Sequence, residues 1–264
     1  MTKVAIIGAG AAGLFCAGLA AAQGWKTVLI DHRQKVAEKI RISGGGRCNF
    51  TNLHSQPANF LSNNPHFAKS ALARFTPQDF IALVERYNIP YHEKKLGQLF
   101  CDNSAQDIID LLLAECHTHG VTNAFGVSVI GVSRQESAFH IETDNGLFTA
   151  NRLVVATGGL SIPKIGATGF GYDMARQFGL PVLAPRAGLV PLTFTDQMRA
   201  DCANLSGLSV EADVQYGKTT FAEGLLFTHR GLSGPSILQI SSYWQDSADI
   251  AVNLAPEMDV AGYL

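Results

Sequence analysis

Three observations predict an α/β fold for this chain. The first 31 residues read as strand, glycine-rich turn, helix and second strand. Residues 127–156 change from a helical to an alternating period and finish in a fully apolar strand. Beyond Pro181 the prolines cluster, and strands with polar spacers follow. Together these predict a Rossmann-like domain over residues 1–185 that carries an inserted β-meander. A second, mainly β domain is expected over residues 186–264.

The opening strand is Val4-Ala5-Ile6-Ile7. Gly8, Gly10 and Gly13 follow at G-x-G-x-x-G spacing. Gly8 permits a tight turn, Gly10 lets a pyrophosphate approach the backbone, and Gly13 lets helix and strand pack closely. The helix begins at Ala11 and Ala12, whose free amides face the same ligand. It runs to about Gln23, with Gly24 as its C-terminal stop. Lys26–Ile30 is the second strand and Asp31 stands at its end, where the fingerprint needs an acid. A carboxylate there accepts from a ribose 2′-hydroxyl and repels a 2′-phosphate.

Thr76-Pro77 reads as an N-cap with proline in the first turn, leading a helix through Phe80 and Val84. Ser104 caps a stronger helix through Leu113 that ends before Gly120. Asn145-Gly146 is a hairpin turn within the meander. Leu153-Val154-Val155-Ala156 then rejoins a parallel sheet, whose buried strands are apolar throughout. Residues 56–65 are polar with two prolines and read as a surface loop.

Composition narrows the function. Hydrophobic residues make up 47% and charged residues 16%, which suits a well-buried protein. The formal net charge is −2 and no basic cluster stands out, so no nucleic-acid partner is expected. No apolar run approaches a membrane span, and the N-terminal strand is not a secretory signal. A cytoplasmic protein is therefore expected. The five cysteines, at 16, 48, 101, 116 and 202, are odd in number and lack C-x-x-C spacing. That argues against a disulfide framework and against a metal site.

The most distinctive string is Ile42-Ser43-Gly44-Gly45-Gly46-Arg47-Cys48-Asn49-Phe50-Thr51-Asn52. Three consecutive glycines form a loop whose amides can face a ligand closely. Arg47 directly after them suits a phosphate or a developing anionic ring. Ser43 and Asn49 add short hydrogen-bonding side chains. Cys48 is either a contact to that ligand or a residue small enough for a tight loop.

This string after an N-terminal G-x-G-x-x-G resembles the YhiN/BaiN-like family of FAD-binding flavoproteins, NAD(P)/FAD-dependent oxidoreductases that include aminoacetone-oxidase-like proteins. Ala156-Thr157-Gly158-Gly159 matches that family's second flavin-contacting turn. Gly166–Tyr172, Leu189–Leu192 and Leu226–Pro235 resemble its later signatures. Two positions depart from the pattern. Arg41 replaces an apolar residue, and Cys101 follows Phe100 where proline is usual. Chains of the family continue past this point, so the second domain is expected to be incomplete and FAD retention by these residues alone poor.

The resemblance implies an FAD-dependent oxidoreductase that moves hydride between flavin and a small molecule, with NAD(P)H as a candidate partner. Small amines or conjugated ketones are the implied substrates, stacked beside flavin at the junction of the two domains. The implied FAD contacts are Gly8, Gly10, Ala11, Ala12, Gly13, Asp31, Ser43, Gly44, Gly45, Gly46, Arg47, Cys48, Asn49, Ala156, Thr157, Gly158 and Gly159. Arg47 and His229 are the catalytic candidates. His229 follows the strand Leu225-Leu226-Phe227 and precedes a glycine turn. A structural histidine bonded to a turn carbonyl is its alternative role. Two other functions stay open: a non-catalytic flavin-binding sensor or scaffold, and an NAD-dependent dehydrogenase that uses the first loop alone.

Overall fold

The first β-α-β unit forms because an apolar strand, an alanine-rich helix and a second apolar strand can bury one another. In the structure, a computed structural model that describes residues 3–256, these are β1 (Lys3–Ile7), α1 (Ala11–Ala22) and β2 (Lys26–Asp31). The chain divides into two compact units, the first ending at Val182 and the second starting at Leu183.

The first unit continues through α2 (Glu38–Ile42), β3 (Asn49–Asn52), α3 (Lys69–Arg74), α4 (Pro77–Arg86), β4 (Tyr91–Glu93), β5 (Gln98–Cys101), α5 (Ala105–Thr118) and β6 (Thr122–Phe125). The meander is β7 (Val129–Gln135), β8 (Ala138–Thr143) and β9 (Gly146–Ala150), and β10 (Arg152–Val155) and α6 (Phe170–Gln177) complete the unit. Its parallel sheet has the order β10-β1-β2-β6. Strand alternation places side chains on both faces of β1. Val4 and Ile6 join a core with Leu14 and Ala17 of α1 and Ile109 and Leu112 of α5. Ala5 and Ile7 join a second core with Val132, Ile141 and Met174 on the meander side. Each fully buried leucine or isoleucine contributes about 1.5–3 kcal/mol.

The helix caps read from sequence are present. Thr76 Oγ1 accepts from the Asp79 amide at 3.2 Å, and the Asp79 carboxylate accepts from the Thr76 amide at 2.7 Å. Ser104 Oγ accepts from the Gln106 amide. Gly24 holds φ 82°, the left-handed turn that stops α1. β6 and the three-stranded antiparallel sheet β3-β5-β4 are additions that the sequence pattern did not reveal.

In the second unit lie β11 (Leu192–Thr193), α7 (Asp196–Asp201), β12 (Ser209–Tyr216), β13 (Thr219–Thr228), β14 (Gly231–Ser233), α8 (Pro235–Ser241) and β15 (Ala251–Asn253). Its antiparallel sheet has the order β11-β14-β13-β12-β15. Ile237 and Ile240 of α8 pack on Ala212, Val214, Leu225 and Phe227. Among the described residues no helix is long and apolar enough to cross a membrane.

Candidate functional site

The three glycines of the first loop are required for different reasons. Gly8 has φ 103°, and a Cβ there would lie 2.6 Å from the Ala156 carbonyl oxygen. A Cβ on Gly13 would lie 1.7 Å from the Gly8 carbonyl oxygen. A Cβ on Gly10 would meet nothing within 4 Å. Two glycines therefore serve packing between β1, α1 and β10, while Gly10 borders open space. Gly10 caps α1 without a side-chain bond. The amides of Ala11, Ala12 and Gly13 have no carbonyl one turn earlier in the helix, and their partial positive charge faces outward.

Ala11 and Ala12 border a cleft of about 540 Å³. Gly10, Ala11 and Ala12 form one wall, Asp31 a second, and Ala156, Thr157 and Gly158 a third. Arg33, Lys35 and Lys39 also line it, against the carboxylates of Asp31 and Glu38. Three cations and two acids, with a helix N-terminus, give a local balance that favours an anion. Lys39 Nζ bonds Ser161 Oγ at 2.7 Å, which ties α2 to the turn after β10. A second cavity of about 220 Å³ shares Asp31, His32, Thr157 and Gly166 with the first. Gly8 borders it too, and Ile7, Ile30, Val127, Val129 and Phe170 give it apolar walls. Thr157 Oγ1 is buried between these walls without a hydrogen-bond partner among the described residues.

Asp31 does structural work that the sequence fingerprint does not reveal. Its Oδ2 accepts from the Ala9 amide at 2.6 Å and its Oδ1 from the Arg33 amide at 2.8 Å. It thus clamps the glycine loop to the turn after β2. Each oxygen has a second lone pair, so the carboxylate can still accept from a ligand hydroxyl.

The second glycine cluster lies elsewhere. None of residues 43–49 lines the 540 Å³ cleft. The cluster follows the short helix α2 rather than a strand. Residues 38–42 are one helical turn and a fraction, entered through Ala37 at φ 62°. Gly44, Gly45 and Gly46 have φ 57°, 66° and 86°, three successive left-handed residues that other side chains avoid. A Cβ on Gly44 would lie 2.8 Å from Phe100 Cε1, whereas Gly45 and Gly46 face open space.

The side chains of this cluster divide in the same way. Ser43 Oγ donates to the Ile40 carbonyl, so its hydroxyl closes α2. The Asn49 amide, oriented as its neighbours require, donates to the carbonyls of Leu99 and Thr51. Cys48 is buried at φ 50°, and burial pushes its thiol up. That fits the small-residue alternative for Cys48. Arg47 is exposed, with its side chain free of hydrogen bonds among the described residues. Gly159 borders neither cavity, and a Cβ there would lie 3.1 Å from Tyr172 Oη.

His229 is exposed in the turn between β13 and β14 of the second unit. That turn is closed by Thr228, whose Oγ1 accepts from the amides of Arg230 and Gly231. Arg41 has an explanation. Its guanidinium donates to Glu38 Oε1 at 2.9 Å, to the Val36 carbonyl at 3.1 Å and to Gln106 Oε1, pinning α2 to α5. Sequence reading missed Arg33, Lys35 and Lys39. Their signal was three cations within the eight residues after Asp31, in a chain whose formal net charge is −2.

Residues 2–214 match the family described as HI0933-like protein Rossmann domain, and residues 186–263 match HI0933-like protein barrel and H2TH domain. A protein of Escherichia coli (strain K12) named ribosomal RNA dihydrouridine synthase is 51% identical over 260 residues, covering 98% of this chain and 65% of that one. A protein of the same name from Haemophilus influenzae is 48% identical, covering 97% and 65%. The 3-dehydro-bile acid delta(4,6)-reductase of Clostridium scindens is 26% identical, covering 99% and 66%. The chain thus spans 65% of the length of the first two of these relatives.

Proposed function

This chain belongs to the HI0933-like family, and on that premise we propose that its protein is an FAD-dependent reductase of carbon–carbon double bonds conjugated with a carbonyl. The observation that carries the proposal is the 540 Å³ cleft that unites the α1 N-terminus, Asp31 and the Ala156–Gly158 turn. In this reading the amides of Gly10–Ala12 hold the diphosphate of FAD, helped by Arg33, Lys35 and Lys39. Asp31 accepts from the ribose while it keeps its two amide bonds. The apolar 220 Å³ cavity takes the adenine. When bound, flavin supplies two-electron hydride chemistry. The chain's own residues bind and orient it, and Arg47 faces negative charge from the second glycine loop.

The substrate class comes from the relatives' names. A dihydrouridine is a uridine whose ring double bond, conjugated with a carbonyl, has gained two hydrogens. A delta(4,6)-reductase of a 3-dehydro acid acts on double bonds conjugated with a ketone. Both describe one reaction type, and the higher identity of the first two relatives favours uridine in ribosomal RNA. The net charge of −2 speaks against an RNA surface built from bulk charge, not against a pocket that takes one base.

The test uses the flavin-loaded whole protein, reduced anaerobically with NADH or NADPH. It is mixed in turn with unmodified ribosomal RNA transcript and with a 3-oxo-4-ene steroid. Dihydrouridine, read by mass, supports the RNA substrate. Steroid reduction alone moves the assignment to small enones. Reduction of neither refutes the proposal.

A further inference from the structure

The small sheet β3-β5-β4 holds a histidine–carboxylate pair next to the triple-glycine loop. His92 Nδ1 lies 2.6 Å from Asp102 Oδ1. The other histidine–carboxylate contacts among the described residues are longer, His32–Asp31 at 3.6 Å and His119–Glu115 at 3.9 Å. A carboxylate only accepts, so Nδ1 carries the hydrogen and Nε2 is the nitrogen left for exchange. The His92 side chain is 45% exposed, which leaves Nε2 open to a ligand.

Register places this pair. His92 pairs with Phe100 across β4 and β5, and their rings lie 6.3 Å apart at 19°. Asp102 is the first residue past β5, and its amide donates to the Pro90 carbonyl at 3.0 Å, just before β4. The same Phe100 ring, together with the Asn49 amide, excludes a side chain at Gly44. Cys101 donates its amide to the Arg47 carbonyl at 3.0 Å, so the loop is also stitched to β5. One ring thus has the glycine loop and the oriented histidine as neighbours. Lys94 Nζ sits 5.3 Å from the ring's centroid and adds a cation to this face.

We propose that His92 donates the proton in the double-bond reduction, with Asp102 as its positioning residue; this rests on the function proposed above. The double bond gains a hydride at one carbon, with flavin the reductant. Its π pair takes the Nε2 proton at the neighbouring carbon. The N–H electron pair stays on nitrogen, and the neutral imidazole is recharged from water. The product has gained two hydrogens and two electrons, and the flavin has lost two electrons.

The experiment follows the reduced, flavin-loaded whole protein in stopped flow with two acceptors. One is a conjugated carbonyl: unmodified ribosomal RNA transcript, with 2-cyclohexen-1-one as a small probe. The other is ferricyanide, which needs no proton on carbon. His92→Gln slows carbon reduction by about 10²–10⁴-fold, the range of a lost general acid, and leaves ferricyanide unchanged. Asp102→Asn slows the same step by a smaller factor, and Asp102→Glu restores part of it. Equal rates in His92→Gln and wild type, or equal slowing of both acceptors, overturn the proposal alone. A wild type that reduces neither conjugated probe overturns the proposed function and this inference together. Long-range ¹H–¹⁵N spectra of the flavin-free protein give an independent readout. Neutral His92 is a single Nδ1–H tautomer in wild type and a mixture in Asp102→Asn. A mixture already in wild type overturns the positioning role.

Discussion

Substituting Gly10 and Gly13 by alanine separates what the first loop does for the fold from what it does for a ligand. The Gly13 Cβ would sit 1.7 Å from the Gly8 carbonyl oxygen, so α1 and the β1 turn must part by well over an ångström. Overpacking of that severity costs about 3 kcal/mol. Alanine regains about 1 kcal/mol of helix propensity over glycine, which leaves a net loss of about 2 kcal/mol. Gly10 has φ −82° and ψ −170°, which alanine adopts without strain, and its Cβ meets nothing. The weaker N-cap alone costs about 0.5–1 kcal/mol. Urea unfolding of the flavin-free protein reads these differences, and flavin fluorescence during FAD titration reads affinity. Gly13→Ala shifts the unfolding midpoint well below that of Gly10→Ala. Gly10→Ala stays folded and loses FAD affinity, because its methyl occupies the space beside the helix amides. Equal midpoints refute the packing argument, and wild-type FAD affinity in Gly10→Ala refutes the ligand assignment.

Other substitutions test single contacts. Asp31→Ala removes the acceptor of two amide bonds, each worth about 1.5–3 kcal/mol, so it destabilises the protein even without flavin; an effect confined to the FAD-bound state refutes the clamp. Arg41→Leu restores an apolar residue yet breaks three hydrogen bonds, and a loss of about 2 kcal/mol in chemical unfolding is expected, while unchanged stability refutes the α2–α5 tie. Burial pushes the Cys101 thiol up to about 12, with charge at Cys48, Asp107 and Asp102 adding to it, and burial pushes Cys116 up to about 11. A raised thiol stabilises the fold below the ordinary value of 9.0, and that stability is lost as pH rises toward 11–12. Each thiol contributes a slope of at most about 1.4 kcal/mol per pH unit, so melting temperature falls above pH ~9 and falls less in Cys101→Ser. Native iodoacetamide labelling at neutral pH leaves both thiols unmodified, and fast labelling refutes their burial.

Legibility followed steric necessity. Gly8, Gly10 and Gly13 were readable because each answers a demand that spacing alone states: a turn, an approach, a close packing. Thr76 and Ser104 were readable because a short side chain before a periodic run has one economical use, capping. β6 was not readable, since Thr122-Asn123-Ala124-Phe125 is held by backbone bonds to β2 rather than by an apolar pattern. α2 was hidden for a related reason. It is five residues long and starts at a left-handed alanine, with no side-chain cap to announce it. The triple glycine shows the limit most clearly. Composition states that the backbone there is unusual, but not which neighbour imposes it. Gly44 is imposed by Phe100 and the Asn49 amide, while Gly45 and Gly46 are imposed by their dihedral angles alone. Only the second kind leaves open space above the backbone, so the part of this loop with room for a ligand is Gly45 and Gly46. Gly44 belongs to the fold, because it seats the loop on the ring that also carries His92.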